Sequence, residues 1–150
     1  METTHDWVPR QVGVAPRAIA AVLDALVSGF LLGIPLTIAL EEKTTAPDGT
    51  SVWEMHSTTF VIWVVLTLFY FILFETLFGA TIGKLVLALR VRYSDGSPIG
   101  LGAAFWRNLL RLVDCFPYFL PYLLGALFIW GGNERQRLGD MVAGTIVTWR

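Results

Sequence analysis

Two long apolar runs constrain this chain more than any other feature. From Ala18 to Leu40 the only charged residue is Asp24, and from Thr58 to Phe78 the only one is Glu75. At 1.5 Å per helical residue the first run reaches roughly 34 Å, enough to cross a hydrocarbon core of about 30 Å. The second, TTFVIWVVLTLFYFILFETLF, is nearly as long. A helix satisfies every backbone N–H and C=O within its own segment, which is what lipid demands. The sequence therefore predicts an all-α integral membrane protein with two long transmembrane helices near residues 18–40 and 58–78, and the lipid bilayer as its first partner. Composition agrees: 55% of residues are hydrophobic and 15% charged, against about 25% charged in soluble domains.

The connecting segments give an orientation. Residues 1–15 form a polar flank that lacks the plain basic start of a signal peptide, and the apolar run after it is read as retained. Residues 16–150 are then one membrane domain. Pro16 suits the start of the first helix, and Pro35 should kink it near its far end. Residues 41–57 read as a polar loop turning at Pro47-Asp48-Gly49, with Lys43 alone among Glu41, Glu42, Asp48 and Glu54. Arg10 and Arg17 precede the first helix, and Lys84, Arg90, Arg92, Arg107 and Arg111 follow the second. Basic residues favour the cytoplasmic side. This predicts a multi-pass protein of the cell membrane, its N-terminus and residues 79–115 inside, its 41–57 loop outside.

Three further segments are expected. Residues 84–93, KLVLALRVRY, alternate as a strand does, and AGTIVTW at 143–149 is rich in β-branched and aromatic residues. These two would pair as a small cytoplasmic β element. Residues 100–115 set Arg107, Arg111 and Asp114 on one helical face and Phe105, Leu109 and Leu112 on the other, an amphipathic helix suited to the interface. Residues 116–131 are apolar but short, with Pro117 and Pro121 inside them. They form a third membrane segment, either re-entrant or spanning. Arg135, Arg137 and Arg150 favour an inside C-terminus and hence the re-entrant form.

The chemistry-bearing residues are few. A carboxylate in a membrane helix costs roughly 2.5–3.5 kcal/mol on insertion scales and needs a partner or water. Asp24 lies two helical turns beyond Arg17, which could reach it; a cation from another segment could do so as well. Its two readings are an ion or proton site and a buried pair that fixes helix packing. Glu75 either reaches the interface or joins a polar cluster with Lys84 or Arg17. Asp140, in the polar run from Asn133 to Asp140, is placed to cap a turn or to pair with Arg107 or Arg111. Ala21, Ala25, Gly29 and Gly33 recur every four residues, a ridge that admits close helix packing.

Several classes are excluded or without support. Gly79 to Lys84 lacks the spacing and preceding strand of a phosphate loop. No metal-spaced cluster and no catalytic set appears, so neither a metal, a cofactor nor an enzymatic activity is expected. A net charge of −1 argues against a nucleic-acid partner.

Taken together, Pro16-Arg17-Ala18 with Asp24, the stretch from Gly79 to Val91, Arg107-Asn108-Leu109-Leu110-Arg111, and Arg135-Gln136-Arg137-Leu138-Gly139-Asp140 with Ala143-Gly144-Thr145 resemble the RDD family of small membrane proteins. The resemblance covers nearly the whole chain from residue 16. The family's arginine falls on Arg17, its mid-helix aspartate on Asp24 and its second aspartate on Asp140. Its glycine-threonine-glycine-lysine turn falls on Gly79, Thr81, Gly83 and Lys84. The short third segment departs from the family's usual three helices. The resemblance implies a small oligomeric transporter, with sodium–proton exchange proposed for some members, working through Asp24 and Arg17. The glycine ridge would serve homo-oligomer formation, and the transported substrate is not specified. The competing reading is a membrane scaffold or accessory subunit whose arginines and aspartates are structural.

Overall fold

A computed structural model of the chain describes residues 10–114, 123–131 and 136–150. The first apolar run is one continuous helical rod, Val14–Leu40, made of α1 (Val14–Ser28), a π-helical turn (Gly29–Gly33) and α2 (Ile34–Leu40). The wide turn lies directly before Pro35. Proline has no N–H to return to the carbonyl four residues back, and its ring crowds that carbonyl. The widened turn relieves both, with Ile34 N–H bonding to Gly29 O, five residues back.

The second run is α3 (Ser57–Phe78), which ends where Gly79 takes a left-handed conformation with φ of 66°. The two rods run antiparallel: Trp63 donates to Ser28 O (3.2 Å), and Tyr70 donates to Asp24 Oδ1 (3.2 Å). Both are long and apolar enough to cross a membrane, and only 22% and 11% of their most apolar windows are buried. A soluble core helix would bury most of such a stretch. Leu31, Val61, Phe69 and Leu77 instead face outward.

At the far end of the pair, residues 41–57 hold more order than a loop. β1 (Lys43–Thr45) and β2 (Ser51–Trp53) form an antiparallel hairpin, turned by Gly49 at φ 85° and by Thr50 bonding to Asp48 Oδ1. Lys43 lies over the Trp53 ring. With every strand residue exposed, no alternating burial pattern was there to read.

At the opposite end the chain folds into a compact cap. The strand expected over 84–93 is shorter: Ile82–Val86 form a helical turn, α4, and β3 covers only Leu89–Tyr93. Tertiary contact overrides the alternating pattern here. The first N–H groups of a helix lack internal partners; Tyr70 Oη accepts from Ile82 N–H (3.0 Å) and Asp24 Oδ1 from Gly83 N–H (2.8 Å). β3 pairs antiparallel with β4 (Thr145–Trp149), Val91 opposite Val147, so the expected strand pair is present. Val12 N–H donates to Val147 O, which brings the start of the chain onto the same element. Leu89, Val91 and Val147 pack with Val12, Ala20, Ile99 and Ala104 into the apolar core of this end.

The expected amphipathic helix is α5 (Leu101–Leu109), followed after one turn residue by α6 (Arg111–Asp114). Its polarity is reversed relative to a helix floating in an interface. Arg107, Asn108 and Arg111 are buried, while Phe105, Trp106, Leu109 and Leu112 face outward. The polar stripe is the protein-facing one. α7 (Leu123–Gly131) and α8 (Leu138–Val142) complete the described elements. The re-entrant or spanning segment expected at 116–131 lies in part outside the described residues; nine residues of α7 reach only about 13 Å. The Asp114 side chain and Arg135 also lie outside what is described.

Gly83 sets how closely α4 approaches α1. A methyl group there would run into the carbonyl oxygen of Ala20 and come within 2.9 Å of Asp24 Oδ1. Gly83→Ala should therefore cost about 1–3 kcal/mol or more, the range for overpacking. Gly29→Ala meets no atom within 4 Å and should leave stability unchanged or slightly raised. Thermal unfolding of the two variants in detergent checks the pair.

Candidate functional site

The charged residues singled out by sequence collect at the capped end, in an arrangement with two separate centres. The larger is a buried ion network around Arg107, which is fully enclosed. Its Nε donates to Glu75 Oε2 (3.2 Å), and its Nη1 donates to Asp140 Oδ1 (2.6 Å) and to Thr145 Oγ1 (2.5 Å). Glu75, equally enclosed, also pairs with Lys84 and accepts from Asn108 Nδ2 (2.9 Å). One guanidinium thus joins α3, α5, α8 and β4.

Asp140 closes the other side. Arg17 Nη1 donates to its Oδ2 (2.6 Å), Arg137 Nε to its Oδ1 (3.3 Å) and the Arg137 backbone N–H to its Oδ2 (3.3 Å). The last bond belongs to a capping box at the start of α8. Arg17 Nε donates in addition to Val12 O (3.1 Å). α8 reaches this position because Gly139 lies flat on the Arg107 backbone, where a Cβ would come within 2.8 Å of Arg107 O. Burial by itself would push the Asp140 carboxyl up, but the guanidiniums of Arg107, Arg137 and Arg17 hold it well below the ordinary value of 3.8. Lys84 is lowered to about 8, first by burial, against the opposing pull of Glu75.

The second centre is Asp24. It is fully enclosed, and Arg17 does not reach it, being bound to Asp140 instead. The expected pair along one helix face gives way to three uncharged donors: Tyr70 Oη, Thr81 Oγ1 (2.6 Å to Oδ2) and Gly83 N–H. Asp24 thereby clamps α4 and α3 to α1. Arg111 stacks its guanidinium over the Phe71 ring at 4.0 Å, a cation–π contact, and makes further interactions of its own.

The small-residue ridge divides. Ala21 is buried and Gly33 packs on Trp63, whereas Ala25 is exposed and Gly29 meets nothing. Tyr70 holds a structural position that the sequence did not mark, and Asn108 and Thr145, quoted only within family motifs, prove to be partners in the ion network. Tyr70 is the one tyrosine of α3, two turns from its end, and Asn108 follows Arg107 inside an otherwise apolar helix; each is a polar group that burial obliges to find a partner.

Removing one partner of a buried ion pair costs about 3–5 kcal/mol, because the remaining charge is stranded. Arg107→Leu takes from Glu75 and Asp140 the one cation they share, leaving Glu75 to Lys84 and Asp140 to Arg17 and Arg137, and should be the most damaging single change, lowering folded yield in detergent more than Arg17→Leu. Arg10→Leu, at an exposed position, should be near neutral. The pH dependence has a definite sign. Asp140 has a folded pKa below its unfolded one, so its contribution is present above 3.8 and is lost as pH falls through the lower folded value. The stability gap between wild type and Asp140→Asn should hold steady through mildly acidic pH and narrow only below the ordinary carboxylate value.

Comparison with known proteins adds identity to this geometry. The chain matches the RDD family over residues 12–144. It is 32% identical over 72 residues to an uncharacterized protein, YckC, of Bacillus subtilis (strain 168), a match covering 47% of this chain and 48% of that protein. The matched region thus spans about half of that relative's length. No solved structure matches the chain. Arg17, Asp24 and Asp140, enclosed in the two centres above, lie within a family match that takes in nearly every described residue, and the chain belongs to the RDD family.

Proposed function

We propose that this chain is a multi-pass membrane protein of the scaffold or accessory class, non-catalytic, whose buried arginines and acids hold its segments in register. The supporting observation is the enclosure of Asp24. A cation or proton carrier needs a carboxylate that can reach water, with room for the ion. Asp24 has no exposed surface, its oxygens are occupied by Tyr70, Thr81 and Gly83, and Arg17 is committed elsewhere. In this reading α1–α2 and α3 cross the bilayer, and α5 lies at the interface with Trp106 and Phe105 toward lipid. The basic cap lies in the cytoplasm with the N-terminus, as the distribution of Lys and Arg favours.

Flux assays in proteoliposomes separate this from ion exchange. Wild type should pass neither sodium nor protons above the rate of protein-free vesicles. Asp24→Asn should fold, since its amide oxygen can still accept from Tyr70 and Gly83 while its NH₂ donates to a rotated Thr81 hydroxyl. Asp24→Ala leaves those three donors without an acceptor and should cost about 1–3 kcal/mol for each one stranded. Wild-type flux that Asp24→Asn abolishes without unfolding would replace the scaffold with an exchanger.

A further inference from the structure

Arg90 and Arg92 stand apart from the ion network. They are alternate residues of β3 and so share one face of the strand, each half-buried. Neither forms an ion pair among the described residues. Arg92 Nη1 donates to an uncharged acceptor, Gly96 O (2.8 Å). Arg90 Nε is enclosed without an acceptor, whereas both Nη atoms of Arg90 and the Nε and Nη2 of Arg92 make no hydrogen bond and keep accessible surface. Neighbouring acids are committed elsewhere. Asp95 accepts from the Ser97 N–H (2.8 Å) and hydroxyl (2.6 Å), and Glu75 is held by Lys84, Arg107 and Asn108.

Both arginines line a cavity of about 130 Å³, together with Thr76, Leu77, Phe78 and Gly79 at the end of α3. A single water needs about 10–15 Å³ of such space, so a group of several heavy atoms fits. The cavity carries two positive charges and no acid in its lining. The last carbonyls of α3 bring about half a negative charge to it, which leaves it positive. Leu77 and Phe78 face outward on the apolar surface of the rod. With α3 across the bilayer, the cavity lies where that rod leaves hydrocarbon, at the level of the headgroups.

A ligand here meets guanidiniums on one side and lipid-facing side chains on the other. Guanidinium N–H groups match phosphate oxygens in geometry and charge, and basic pockets at the cytoplasmic surface suit anionic headgroups. We propose that this cavity binds the headgroup of an anionic phospholipid, its phosphate held by Arg90 and Arg92 and its acyl chains lying along Leu77 and Phe78. The site depends on the membrane placement of α3 proposed above and not on the absence of transport. An ion flux that removed the scaffold reading would leave it standing.

The test is thermal unfolding of the delipidated full chain in neutral detergent, with phosphatidylglycerol or phosphatidylcholine added to the micelles at equal mole fraction. Phosphatidylglycerol should raise Tm saturably and phosphatidylcholine should not. Arg90→Gln, which removes no hydrogen bond of the fold, should keep the basal Tm and weaken the apparent affinity about fivefold, the value of one basic residue facing anionic lipid. Adding Arg92→Gln should abolish the response. Arg10→Gln, which removes an exposed cation of the same end, should respond as wild type does. A wild type that does not distinguish the two lipids overturns the proposal, as does a folded Arg90→Gln with unchanged affinity. Equal loss in Arg10→Gln would reduce the effect to general surface charge, and an equal rise with inorganic phosphate, against chloride at equal ionic strength, would replace the lipid with a soluble ion; either result overturns it.

Discussion

Arg107 is the residue on which the rest of this structure depends. Arginine does not shed its proton on burial as a lysine can, so a fully enclosed guanidinium has to be met by acids arranged around it. Glu75 meets it from the end of α3, Asp140 from α8, and Thr145 from β4. Those partners lie 32, 33 and 38 residues away along the chain. Once Arg107 is enclosed, the ends of three elements have one arrangement that leaves no charge stranded.

The same constraint explains why α5 is turned with its polar stripe inward. A helix lying on a bilayer ordinarily gives its charges to water and its apolar face to lipid. In α5 the buried arginine goes instead to the acids of α3 and α8, and the aromatic face is left outward. The two rods are held by a different device. Asp24 takes Tyr70 from α3 and the first turn of α4, while Trp63 reaches the Ser28 carbonyl next to the widened turn. Side chains bonding across apolar helices at these two levels fix the pair where packing alone would allow it to slide.

Much of the layout was legible from residue types alone. The two rods are visible because apolar length is a strong signal, and the β3–β4 pair because two β-branched runs apart from the long helices have each other to pair with. The residues of the charge network were legible too, since an acid or arginine beside apolar surface has to be accounted for. Their pairing was not. Arg17 and Asp24 share a helix face, yet Arg17 bonds to Asp140, 123 residues away, and Asp24 to uncharged donors. Sequence neighbourhood favours the local pair; the fold brings α8 to the mouth of α1 and offers a fully enclosed acid already bound by two other guanidiniums. The extent of β3 differs from its sequence pattern for a related reason. An alternating pattern describes Lys84 to Tyr93 well, but the caps that turn Ile82–Val86 into a helix come from Asp24 and Tyr70, on other elements.

Buried ion networks are weak devices for stability, since well-packed apolar substitutes are often as stable or more so. In water such a substitute would still fix a structure, because the hydrophobic effect separates the inside from the outside. In a bilayer that separation is lost: a leucine gains little by leaving lipid for the protein interior. An apolar α5 could therefore slide along the rods, or leave them, at small cost. A charged stripe cannot, because lipid offers Arg107 no partner, whereas Glu75 and Asp140 do. Next to lipid, charge distinguishes protein from surroundings where apolarity does not, and this gives a physical reason for the enclosed charges where α3, α5, α8 and β4 meet.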